Sequence, residues 1–194
     1  RFIFAAECHN LLPRNIRMDM TEKQIFFFCL AGFLFVSVFG ALSRFFYEWS
    51  GKKRLAGVLF ASNESTWEHL KLAIFPTLVF FFVGLFFLDA ENRAVAFFLT
   101  LFTPMVLIPV IFYSYTALTG QPKLAVDILT YFFSVAIAFG LCYRMLTAEP
   151  LPKFCSLLAA GGIVLIVFCY LTFTVMPPEN FLFRDERTGR YGPG

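Results

Sequence analysis

A chain of 194 residues that is 59% hydrophobic, 20% aromatic and only 15% charged is not built as a soluble domain, because a soluble fold of this size has no interior for 29 phenylalanines. The net charge of +3 is scattered over the breaks between apolar runs without a basic stripe, which excludes nucleic acid as a partner. The lipid bilayer is therefore the expected partner, and the length accommodates one domain of roughly five spans at about 20 residues each.

In chain order, residues 1–24 form an N-terminal tail. Its first 17 residues read as an extension ahead of a start at Met18 or Met20, and no function is placed on them, Cys8 and His9 included. Five apolar stretches follow, at 25–46, 70–88, 94–118, 124–146 and 154–176, each long enough to cross a hydrocarbon core of about 30 Å as a helix. Short breaks at 89–93, 119–123 and 147–153 carry the expected Gly, Pro and charge. The one long link, 47–69, reads as an interfacial or partly re-entrant segment. Pro177-Pro178 ends the fifth span and leaves a C-terminal tail, 177–194. The expected fold is an all-α integral membrane bundle of five transmembrane helices over residues 25–176. The five cysteines form no CxxC pair and read as small packing residues, so neither a metal nor a cofactor is indicated.

Five spans put the two termini on opposite faces. One face then carries Arg1, Arg14, Arg17, Lys23, Arg93, Arg144 and Lys153. The other carries Arg44, Lys52, Lys53, Arg54, Lys71, Lys123, Arg184, Arg187 and Arg190. With a start at Met18 the first group loses three members, and the positive-inside rule favours N-out, C-in, with link 47–69 facing the cytoplasm.

That link ends in the most polar stretch of the chain. Asn63, Glu64, Glu68, His69 and Lys71 stand within nine positions, directly ahead of the second span. Ser65-Thr66-Trp67-Glu68 fits a capping box, in which the Ser hydroxyl and the Glu carboxylate satisfy orphan backbone donors at a helix start. On that reading Trp67 anchors at the interface and Lys71 snorkels to water. Capping does not require Glu64 or His69, however. Two carboxylates and an imidazole bind ions or relay protons, although the spacing is not that of a zinc motif. Pairing of a carboxylate with Arg44 or Lys71 is the alternative use, since charges near a bilayer pair.

Other polar residues converge on the same face. Ser37, Ala41, Arg44 and Glu48 fall at helical spacing on the first span, and Asp127, Tyr131 and Ser134 do so on the fourth. Asp127 reads either as a helix-start carboxylate with Lys123 one turn back or as a partner for His69 or Arg44. In the third span Pro104 and Pro109 free the carbonyls of Thr100 and Met105, so that this span, with Thr103, Tyr113 and Thr116, is expected to line a cavity. In the tail, Phe181-Leu182-Phe183 reads as an interfacial flap or as a lid that returns to the cluster.

Three separated motifs carry a family resemblance. Phe45-Phe-Tyr-Glu-Trp-Ser-Gly51, Asn63-Glu-Ser-Thr-Trp-Glu-His-Leu-Lys71 with Pro76, and Pro177-Pro with Phe183-Arg-Asp and Thr188-Gly-Arg-Tyr-Gly192 resemble HFLYxWSG, NESxWEHLKL and PPxxxLFxDPxTGxYG. These are signatures of an uncharacterised bacterial multi-pass membrane family, a domain-of-unknown-function group. The resemblance runs from about the first span to the end and implies a bacterial inner-membrane location but no activity. Arg44 replaces an expected His and Glu186 an expected Pro.

Three function classes follow. The first is a protein that binds or transports a small solute, ion or proton in a pocket of Glu64, Glu68, His69, Arg44, Asp127 and Tyr131. Because five spans show no inverted repeat, transport then requires a homodimer. The second is a membrane-embedded enzyme, metal-dependent in one version, using Glu68 and His69 as acid and base. The third is a structural membrane subunit. The sequence leans toward the first.

Overall fold

The computed structural model of the chain describes residues 20–51, 57, 60, 61, 65–185 and 189. Among these residues it contains five helices and no strand: α1 (Glu22–Trp49), α2 (Thr66–Gly84), α3 (Arg93–Thr119), α4 (Leu124–Leu146) and α5 (Lys153–Val175). All five are long and apolar enough to cross a membrane. Two of them begin a turn or so earlier than their apolar runs, because polar caps extend them. Thr21 and Gln24 form a capping box on α1, with the Thr21 N–H donating to Gln24 Oε1 at 2.8 Å and the Gln24 N–H to Thr21 Oγ1 at 3.4 Å. On α2, Ser65 Oγ accepts from the Glu68 N–H at 3.3 Å, as the sequence pattern predicts. At the far end of α3, Gly120 takes a left-handed φ of 74° and its N–H closes on the Thr116 carbonyl.

Helices α1 to α4 close a ring in which each packs on the next and α4 returns to α1, while α5 leans on α3 from outside. Burial follows this plan, since 56% of the α2 span is buried but only 17% of α5. Helix α2 is thus the core, and α5 presents most of its surface to lipid.

Helices α1 and α4 meet in strict antiparallel register. Ile25 and Leu146 line one cleft, Cys29 lies against Cys142, and Gly32 and Gly40 sit directly under Phe139 and Tyr131. The inward stripe of α1 is therefore Val36, Gly40 and Ser43, all buried. Of the stripe expected through Ser37 and Ala41, Ser37 is buried as well, whereas Ala41 is exposed. On α4 the expected stripe does turn inward: Ser134 is fully buried and Tyr131 reaches across the ring to α2.

That reach answers a specific need. Pro76 lies inside α2 and has no N–H, which leaves the Leu72 carbonyl four residues back without its helical partner. The Tyr131 hydroxyl supplies the donor, 3.2 Å from Leu72 O and 2.9 Å from Val36 O, its single proton shared between the two. Gly40 makes the approach possible, because a Cβ there would stand 2.6 Å from the Leu72 oxygen and collide with the Tyr131 hydroxyl. Inside a bilayer no water competes for the orphan carbonyl.

Toward the other face the ring is filled by aromatic side chains. Phe81 and Phe97 stack with centroids 3.8 Å apart, and Phe80 and Phe139 close around them. Beyond this layer Asn92, 3% exposed, ties two loops together. Its Nδ2 donates to the carbonyls of Met145, Ala148 and Glu149 while its Oδ1 accepts from the Leu151 N–H.

Helix α3 turns its threonine hydroxyls back onto its own backbone. Thr103 and Thr116 return their hydroxyls to carbonyls one turn back, at 2.7 and 2.8 Å, and Thr100 does the same to Ala96. Tyr113 points instead at the start of α2.

Substituting Gly40→Ala should destabilise the bundle by about 1–3 kcal/mol through overpacking, and Tyr131→Phe by a similar amount through the orphaned Leu72 carbonyl. Their effects should be non-additive, because both act on the same contact. Thermal unfolding of the purified protein in detergent measures all three variants.

Candidate functional site

The polar start of α2 folds inward rather than toward water. Glu68 Oε1 meets Lys71 Nζ at 2.6 Å, one helical turn apart, with side chains 7% and 1% exposed. Lys71 also donates to the Gly57 carbonyl at 3.0 Å, which places Gly57 beside the helix. Phe60 likewise stands beside α2, its ring packed on Phe46 of α1 and on Phe75, two and a half turns into α2. Lys71 therefore does not snorkel. Its ammonium is held by a carboxylate and a backbone carbonyl, as a charge withdrawn from water must be.

Trp67 is likewise not an interface anchor. It is 4% exposed and stands among Phe173 of α5 and Phe183 of the C-terminal tail, at centroid distances of 5.6 and 5.0 Å, with those two rings 5.5 Å apart. The Trp67 N–H, one of the orphan donors of the helix start, donates to the Leu182 carbonyl at 3.0 Å. Beside it Thr66 Oγ1 shares a 2.8 Å hydrogen bond with the Tyr113 hydroxyl, and Tyr113 packs edge-on against Phe181. The tail thus returns to the cluster, and of its two readings the lid describes the geometry. Ser65, Trp67, Glu68, Phe173, Thr174, Pro177 and Phe183 enclose a cavity of about 10 Å³ beneath it.

The sequence-derived residues divide. Glu68 lies at the centre, and Tyr131 bonds the Leu72 carbonyl one turn further along α2. His69, half-buried on the adjacent face of α2, follows Glu68 by about 100° around the helix. Asp127 is drawn away, because its Oδ1 accepts from the Tyr115 hydroxyl at the end of α3. The same hydroxyl accepts from the Lys123 N–H at 3.0 Å, so Asp127 and Tyr115 staple the turn between α3 and α4. Glu64 and the Arg44 side chain lie outside the described residues, and so do residues 52–56, 58, 59, 62 and 63 of link 47–69. The α1–α4 register carries position 44 opposite position 127.

Several contributors were not singled out from sequence. Phe173 and Tyr170 of α5 belong to the site, Tyr170 being buried within electrostatic range of Glu68. Tyr131 was singled out by its stripe, and its role had a further signal: a proline inside a span demands a donor for the carbonyl four residues earlier. No periodicity marks the aromatic clasp, since its rings come from three separate segments.

On the opposite face a cleft of about 270 Å³ is lined by Met20, Ile25, Asp89, Glu91, Asn92 and Leu146, among others. The aromatic layer separates it from the Glu68–Lys71 pair.

The bundle and its buried pair define a multi-pass membrane protein. The family model for a family of unknown function (DUF6512) matches residues 15–193, and the chain belongs to that family. No curated protein and no solved structure matches it.

Replacing Lys71 by Met leaves a buried carboxylate unpaired and should cost about 3–5 kcal/mol. The double variant Glu68→Gln/Lys71→Met should cost less than Lys71→Met alone, because it removes both charges. Thermal unfolding of the four proteins in a double-mutant cycle reads the difference.

Proposed function

We propose that this chain binds and passes a proton or a small cation at the buried Glu68–Lys71 pair. The observation that carries the reading is the pair itself, sealed to 7% and 1% exposure inside a membrane-spanning helix. The helix start does not need it, since the Ser65 hydroxyl already caps the helix and neutral residues would complete the turn. Ionisable side chains inside spans are costly and mark ion or proton sites. A cavity of about 10 Å³ beside Glu68 fits a water-sized guest and favours a proton or small ion over a larger solute.

His69, next to this centre in sequence and half-buried on the adjacent face of α2, extends the site. Among the described residues no three His, Cys, Asp or Glu side chains gather at metal-binding range, and Lys71 already neutralises the Glu68 carboxylate, which favours a proton over a metal ion as its guest. The distribution of Lys and Arg favours N-out, C-in in a bacterial inner membrane, with the site on the cytoplasmic side. Passage across the aromatic layer requires a second copy of the chain or a rearrangement of that layer.

Purified protein in liposomes carrying a pH-sensitive dye tests the reading under a valinomycin-clamped potassium gradient. Proton flux above empty liposomes is expected, falling about tenfold or more in Glu68→Gln, as for loss of an essential proton-relay group. Flux indistinguishable from empty liposomes, or equal in wild type and Glu68→Gln, sinks the proposal.

A further inference from the structure

The cavity beneath the tail has a chemistry that the ion pair does not use. Trp67 Nε1 is buried and finds no acceptor among the described residues, although Trp67 lines the cavity. An indole N–H is a donor only, and leaving it without an acceptor in an apolar enclosure is costly. Glu68, Ser65 and Thr174 line the same cavity, and each carries an acceptor oxygen, Thr174 Oγ1 also donating to the Tyr170 carbonyl at 2.6 Å. A volume of about 10 Å³ is at the threshold for one water molecule and excludes anything larger. One donor and several acceptors around a water-sized space meet the requirement of two to four partners for a buried water.

We propose that this cavity is the proton port of Glu68: a single resident water accepts from Trp67 Nε1–H, donates to the Glu68 carboxylate, and is covered by Phe183. The inference deepens the reading of Glu68 as the proton-binding group and rests on it. A proton delivered by hydronium from the aqueous face reaches this water, which hands one on to the carboxylate, so the port returns to neutral water. Phe183 is 4% exposed and closes the port from the tail side, packed on Trp67 and Phe173. Leu182 fixes it in place through the hydrogen bond to the Trp67 N–H. Tail displacement then opens the port without moving any helix.

The chain has two tryptophans, and Trp49 is 71% exposed, so indole labelling with nitrogen-15 gives two signals that Trp49→Phe assigns. In lipid nanodiscs, the Trp67 indole proton should exchange slowly with solvent and still show magnetisation transfer from a long-lived water. Thr174→Ile, which fills the cavity, should abolish that transfer. Phe183→Ala should raise the exchange rate of the indole proton about tenfold or more, as local opening does. A wild-type Trp67 indole with no water transfer overturns the port, and this holds whether or not any variant folds. Transfer that survives Thr174→Ile, or exchange unchanged in Phe183→Ala, overturns it as well. Because none of these signals depends on transport, a resident water in a protein without proton flux contradicts the proposed function and leaves the water site standing.

Discussion

Helix α2 enters the bilayer with an ion pair in its first turns and a proline five residues beyond Lys71, and water can satisfy neither there. Every other part of the structure near it answers that constraint. The pair is closed by its own geometry and by the Gly57 carbonyl. The carbonyl that Pro76 frees is closed by Tyr131, and Tyr131 is admitted by Gly40. The orphan donor at Trp67 is closed by the returning tail. Helix α2 is consequently the most buried span, because three of its neighbours must supply partners to it.

The constraint also divides the bundle into two unlike halves. On the tail side, polar groups from α1, α2 and α4 meet between the helices. Toward the other side Phe80, Phe81, Phe97 and Phe139 fill the ring. Such an arrangement holds a charge at one face and insulates it from the other. It suits a site that is loaded from one side and moved by a change in packing, rather than an open pore.

The fold was largely legible in the sequence, and the site only in part. Apolar runs of span length separated by Gly, Pro and charge leave few alternatives, and the capping pattern at Ser65 placed the start of α2 correctly. Where the reading failed, it assumed that polar side chains near a membrane face turn to water. Lys71 and Trp67 both turn inward instead: Lys71 is held by Glu68 and the Gly57 carbonyl, and Trp67 is covered by the tail and α5 from more than a hundred residues away. Asp127 lies on the expected stripe, yet its partner is Tyr115, supplied by the neighbouring helix end through a tight turn. Spacing reports which residues share a face of one helix. It does not report which partner from another helix reaches them first.

The pairing of Glu68 with Lys71 inside the membrane is the claim on which the rest stands. Solid-state NMR in lipid bilayers, with nitrogen-15 in Lys side chains and carbon-13 in Glu carboxyls, measures it through the dipolar coupling between Lys71 Nζ and Glu68 Cδ. The account predicts a rigid contact shorter than about 4 Å, as a charge-assisted hydrogen bond requires, absent from Glu68→Gln. A mobile Lys71 with no such coupling in the wild-type protein would contradict it.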